Sequence, residues 1–286
     1  MNILSLMVHR KFLLCLLVCL WQSALKAGQT AEEEDNRFRT HPLASPYQQR
    51  ETVLRVLLPD NFNPKEVYQV LYVLPVHEQG VHRHGNGLLE IRKHDFHNRH
   101  QLICVAPGFT SQPWYADHDL APHQKDESHL LKTVIPFIDR HYPTRKDAKG
   151  RLILGFSKSG WGALALLLRN PDSFYRAAGW DIGIRVDTGP IEEDERAERI
   201  ARNWGTLKNF NANRLSVLIK TRAENLGKET RLFYFSTEGK RALGGIEIHR
   251  LLVQQGIPHR YVMEPYRKHT WGSGWIPEAV AFLVAD

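Results

Sequence analysis

The chain has 286 residues, of which 42% are apolar and 24% charged, with a formal charge of +7. That length can bury a sizeable single core, and the balance excludes a disordered, collagen-like or multi-pass membrane protein. Basic residues are interspersed with acidic ones rather than gathered into a stripe, which argues against a nucleic-acid partner.

Taken in chain order, the N-terminus comes first. Arg10 and Lys11 precede an apolar run from Phe12 to Trp21, and the small residues Ala24 and Ala27 follow. This is the order of a secretory signal, and the run is short for a helix that crosses a bilayer. The expectation is a signal peptide over residues 1–27, cut after Ala27, with an uncleaved anchor as the alternative. A polar, acidic leader then covers 28–45, and one folded domain covers 46–286. Removing the signal takes away Arg10, Lys11 and Lys26 and lowers the charge to +4. It also takes Cys15 and Cys19, so Cys104 alone remains and no intramolecular disulfide is expected. The export route implies a periplasmic or extracellular location with no stable membrane association after cleavage; the oligomeric state is open.

From residue 50 onward, short apolar runs alternate with helical patterns. Thr52 to Leu58 alternates apolar and polar residues like a half-buried strand. Further strands are expected over Val67 to Val76, Leu102 to Ala106, Arg151 to Gly155, Arg176 to Ile182, Leu232 to Ser236 and Arg260 to Met263. Helices are expected over Leu88 to Asn98, Ser128 to Arg140, Gly160 to Arg169, Ile191 to Asn203, Ile246 to Gln255 and Pro277 to Val284. Strands alternating with helices of this length imply an α/β fold with a mostly parallel central sheet. The charged stretch from Pro190 to Lys228 is expected to form a cap or flank.

The most informative stretch is Arg151 to Leu168, R-L-I-L-G-F-S-K-S-G-W-G-A-L-A-L-L-L. A buried strand gives way to a helix rich in Ala and Leu, with Ser157 on the turn between them. That is the setting of a nucleophile elbow, a sharp bend that lifts a serine hydroxyl out of the sheet. The usual pattern is G-x-S-x-G, and here its last position is Ser159. A serine needs a positioned base. His269, after the last strand in E-P-Y-R-K-H-T-W-G-S-G-W, stands in the right chain order, with Trp271 and Trp275 to wall its loop. The third member is expected to be Glu238, just beyond the strand Leu232 to Ser236, with Asp181 as the rival carboxylate. Oxyanion donors are expected from the backbone of Lys158 and of His77 or Glu78. Six histidines lie between His77 and His100, but no H-E-x-x-H occurs among them, so no metal site is expected.

At these residues the sequence resembles the putative-esterase family of α/β-hydrolases, which includes esterase D, feruloyl and acetylxylan esterases and the mycolyltransferase antigens. The resemblance is carried by V-L-R-V-L-L-P-D-N-F, V-L-Y-V-L-P-V, P-W-Y-A-D-H, H-L-L-K-T-V-I-P-F-I-D-R-H-Y-P, G-F-S-K-S-G-W-G-A-L and K-H-T-W-G-S-G-W. It implies an α/β-hydrolase fold, with Ser157 and His269 as nucleophile and base. It also implies that Trp114 and Tyr115 border the substrate, and Trp271, two residues after His269, is expected there as well. The expected activity is hydrolysis of a carboxylic ester, small-molecule or carbohydrate, through an acyl-enzyme and without a cofactor. An acyltransferase with the same triad, or an inactive binding protein on this fold, are the alternatives.

Overall fold

The apolar runs become the strands of a single eight-stranded sheet in the computed structural model, which describes residues 38–79, 81–182, 193–236 and 240–285. The strands are β1 (Arg39–Leu43), β2 (Thr52–Leu57), β3 (Gln69–Leu74), β4 (Leu102–Ala106), β5 (Arg151–Phe156), β6 (Arg176–Trp180), β7 (Leu232–Phe235) and β8 (His259–Val262). Their order across the sheet is β1-β2-β4-β3-β5-β6-β7-β8. β2 runs antiparallel to β4, and every neighbour pair from β4 to β8 is parallel. β5 and β6 are buried at every position, as strands covered by helices on both faces must be, whereas β2 alternates buried and half-buried residues.

The helices are α1 (Gly87–Lys93), α2 (Phe96–Arg99), α3 (Asp126–His129), α4 (Ile135–His141), α5 (Lys158–Arg169), α6 (Glu193–Trp204), α7 (Leu207–Asn213), α8 (Leu215–Arg222), α9 (Lys240–Gln254) and α10 (Ile276–Val284). The helix expected over Leu88 to Asn98 is broken in two, because Asp95 takes φ +58 between α1 and α2. The one expected from Ser128 starts earlier and runs from α3 through a π-helical turn, Leu130–Val134, into α4. The charged stretch around residues 190–228 yields α6, α7 and α8. Of these, α8 lies against α5, which makes the stretch a flank beside that helix.

The register fixes where loops emerge. Leu74 pairs with Gly155, Phe156 with Trp180, Trp180 with Phe235, and Phe235 with Val262. The C-terminal ends of β3, β5, β6, β7 and β8 are therefore level, and the segments that leave them share one edge of the sheet. That is the edge where α/β proteins place their chemistry.

Candidate active site

Ser157 sits between β5 and α5 with φ +53 and ψ −122, a conformation that a side-chain-bearing residue adopts only under constraint. The constraint comes from the neighbours. The Ser157 amide donates to Trp180 O at 2.7 Å, tying the bend to the end of β6. A Cβ on Gly155 would collide with the Ser159 carbonyl, so only glycine lets the strand and helix close this tightly. Ser159 is helical and fully buried; its hydroxyl accepts from the Phe156 amide and donates to the Phe156 carbonyl, both at 2.9 Å. The serine found where the pattern has glycine is thus a brace inside the bend, and the positive φ falls on Ser157 instead.

His269 lies in the loop after β8. Its Nδ1 is hydrogen-bonded to Oδ2 of Asp181, a fully buried carboxylate just beyond β6. Asp181 also has a positive φ, +47, and its amide donates to Phe235 O at 2.9 Å, which anchors the carboxylate to β7. The imidazole packs on Phe156, the residue before Ser157, with ring centroids 4.5 Å apart. The Ser157 hydroxyl and the imidazole are not themselves hydrogen-bonded in this structure. Glu238, the carboxylate first expected to hold the imidazole, lies outside the described residues; Asp181 is the one that His269 meets.

The segment after β3 closes the other side. The Gln79 amide is used by Phe109 O at 3.0 Å, while the amides of His77 and Glu78 make no hydrogen bond to the described residues. Tyr115 determines how that segment starts. It is fully buried at φ +55, and its hydroxyl donates to the Pro75 carbonyl. Its ring fills the space that a Cβ on Gly162 of α5 would take, and Arg169 donates to its carbonyl. Tyr115 was expected to border the substrate; in the structure it is a strut between α5 and the loop after β3, closed off from solvent. Trp114 and Trp271 are 9% and 3% exposed. Trp114 lies against Trp204 at 4.7 Å, and Trp271 against Phe156 at 5.5 Å.

Two groups escaped the sequence reading. His84 packs edge-on against His269, with centroids 5.3 Å apart, and its carbonyl accepts from the Trp271 amide at 3.0 Å. One histidine among six in that stretch carried no distinguishing signal. Asp126, at the start of α3, is buried and accepts from the Trp114 amide at 2.8 Å. Burial pushes its carboxyl from 3.8 up to about 7, in spite of that hydrogen bond. The folded protein therefore keeps a proton that the unfolded chain releases between roughly pH 4 and pH 7. That preference stabilises the fold at low pH and is lost as pH rises through this window. Asp126→Asn removes the titration, so its melting temperature relative to wild type should be more favourable at pH 8 than at pH 5. An unchanged difference between the two pH values would show that Asp126 is not held neutral.

No group of histidine, cysteine, aspartate or glutamate among the described residues is arranged to hold a metal ion. Cys104 is buried within β4, where burial raises its thiol far above the usual range and leaves it unreactive.

A mostly parallel sheet, a strained serine at a strand-to-helix bend and a histidine–carboxylate pair on the same edge define an α/β-hydrolase. Residues 45–180 match the family model described as putative esterase. Over that stretch, just under half of its length, the chain is similar to this family of esterases. The matched stretch includes Ser157 and ends at Trp180, one residue before Asp181.

Solved structures share the fold. A ferulic acid esterase superposes with a TM-score of 0.66 at 21% identity, covering 86% of this chain and 96% of that one. Fluorophosphonate-binding serine hydrolase F of Staphylococcus aureus gives 0.68 at 17% identity, covering 87% and 98%. MPT51 (FbpC1) of Mycobacterium tuberculosis gives 0.68 at 15% identity, covering 86% and 96%. No curated protein matches the chain in sequence. Among the described residues, no helix is long and apolar enough to cross a membrane.

Proposed function

We propose that this protein is an exported serine esterase acting on an ester of an extracellular compound, polysaccharide-borne or small, through Ser157, His269 and Asp181. The observation that carries the reading is the placement of His269: a buried carboxylate holds Nδ1, and the ring rests on the residue preceding Ser157. With Nδ1 committed to Asp181, Nε2 is the nitrogen left to take the serine proton.

Ser157 Oγ attacks the ester carbonyl while His269 takes its proton, and the carbonyl oxygen becomes an oxyanion. The amide of Lys158, at the start of α5, and those of His77 and Glu78 supply its hydrogen bonds, with the helix N-terminus adding positive potential. Collapse of the tetrahedral species releases the alcohol, protonated by His269. Water then attacks the acyl-enzyme with the same imidazole as base, and the acid leaves. Asp181 orients the ring and stabilises the imidazolium. Residues 1–27 would direct export; the working domain begins earlier than residue 46, because β1 (Arg39–Leu43) is already a strand of the sheet.

The reading is tested by incubating the protein with a fluorophosphonate and with acetyl, feruloyl and short-chain aryl esters. The expected result is one phosphonyl group on the peptide that contains Ser157, with loss of ester turnover in step with labelling. Folded protein that takes up no label and turns over no ester would overturn it.

A further inference from the structure

Lys158 presents an anomaly the reaction above does not use. Its backbone amide serves the oxyanion, but its side chain is also buried, only 8% exposed, immediately beside the nucleophile. The ammonium makes no hydrogen bond and no ion pair with the described residues. It lies over the face of Trp114, with Nζ 5.3 Å from the ring centroid. Burial draws its pKa from 10.5 down to about 8, while the carboxyls of Asp126 and Glu78 pull the other way, so at neutral pH it remains mostly charged. A buried cation without an acceptor is costly, and structures rarely keep one without a use.

The groups around it are short of partners too. Trp114 Nε1, His77 Nε2 and Glu78 Oε2 are all buried and unpaired. Gln112 Nε2 donates to His77 Nδ1 at 3.4 Å, which puts the ring proton on Nε2. Around Lys158 there are thus three unpaired donors, the ammonium, an indole N–H and an imidazole N–H, against one acceptor. That balance suits an anion with several acceptor lone pairs. On the reading above, the amides of residues 77, 78 and 158 serve the oxyanion, which sets this cluster of donors beside the ester carbonyl.

We propose that Lys158 is a specificity residue that binds a carboxylate carried on the acyl group, making the enzyme selective for half-esters of dicarboxylic acids. This rests on the serine-esterase reading above. The test compares kcat/KM for mono-p-nitrophenyl succinate and p-nitrophenyl butyrate in wild type, Lys158→Met and Lys158→Arg. Wild type should favour the succinate half-ester. The ratio should fall about ten- to hundred-fold in Lys158→Met, the range for a lost charge-assisted hydrogen bond, and return most of the way in Lys158→Arg.

A second measurement needs no variant: free succinate should protect wild type from fluorophosphonate better than butyrate does. A ratio that is the same in wild type and Lys158→Met overturns the proposal, and so does equal protection by the two acids. If Ser157 takes the label but neither selectivity appears, the specificity assignment alone fails. If Ser157 takes no label, the esterase reading fails and this proposal falls with it.

Discussion

Ser157→Ala should lower ester turnover by a factor on the order of 10⁴ to 10⁶, the loss seen when the nucleophile of a serine hydrolase is removed. It should also abolish fluorophosphonate labelling. The comparison that gives this result its meaning is Ser159→Ala, two residues away. Ser159 is a serine of the same turn, but its hydroxyl is spent on both backbone groups of Phe156. Removing it leaves a buried N–H and carbonyl without that partner, at a cost of about 1–3 kcal/mol of stability. Ser159→Ala should therefore melt earlier yet still take up the label. Label retained in Ser157→Ala and lost in Ser159→Ala would reverse the assignment. The strain at Ser157 adds a second expectation within the same experiment: relieving φ +53 by substitution with glycine should not restore any turnover, because the conformation serves the hydroxyl and not the reverse.

What the sequence could announce followed from burial and periodicity. β4 begins and ends where its apolar run does, and β5 differs from expectation by one residue, because strands covered on both faces must be apolar throughout. The break between α1 and α2 was hidden, since an apolar pattern at helical spacing continues through Asp95 while the backbone does not. β1 was unread because Arg39 to Leu43 contains a proline and is largely exposed, so it has the pattern of a loop. In the site, Ser157 was read from its strand-to-helix turn and His269 from its place after the last strand. Tyr115 could not be placed in this way: an aromatic next to Trp114 reads equally as cleft wall or as strut. Its burial depends on Gly162, 47 positions further along the chain. The side chain of Lys158 was likewise invisible, because nothing local in F-S-K-S-G says that a lysine there will be covered.

The choice between carboxylates is where sequence reasoning was weakest. Two successive strands, β6 and β7, each end near an acid, and the fold permits either end to serve. Geometry favours Asp181, which is fully buried, anchored through its amide to β7 and bonded to His269 Nδ1. Asp181→Asn should therefore lower kcat by about 10³- to 10⁴-fold, with KM changed little. An amide in that place can present its NH2 to Nδ1, which turns the imidazole into the tautomer whose Nε2 carries the proton and cannot act as base. The rate of fluorophosphonate labelling should fall along with turnover, because both need the serine proton removed. Glu238→Gln should stay within a few-fold of wild type in both measurements. If instead Glu238→Gln shows the large loss and Asp181→Asn does not, the bond to Asp181 is a packing contact and the imidazole draws its support from the loop after β7.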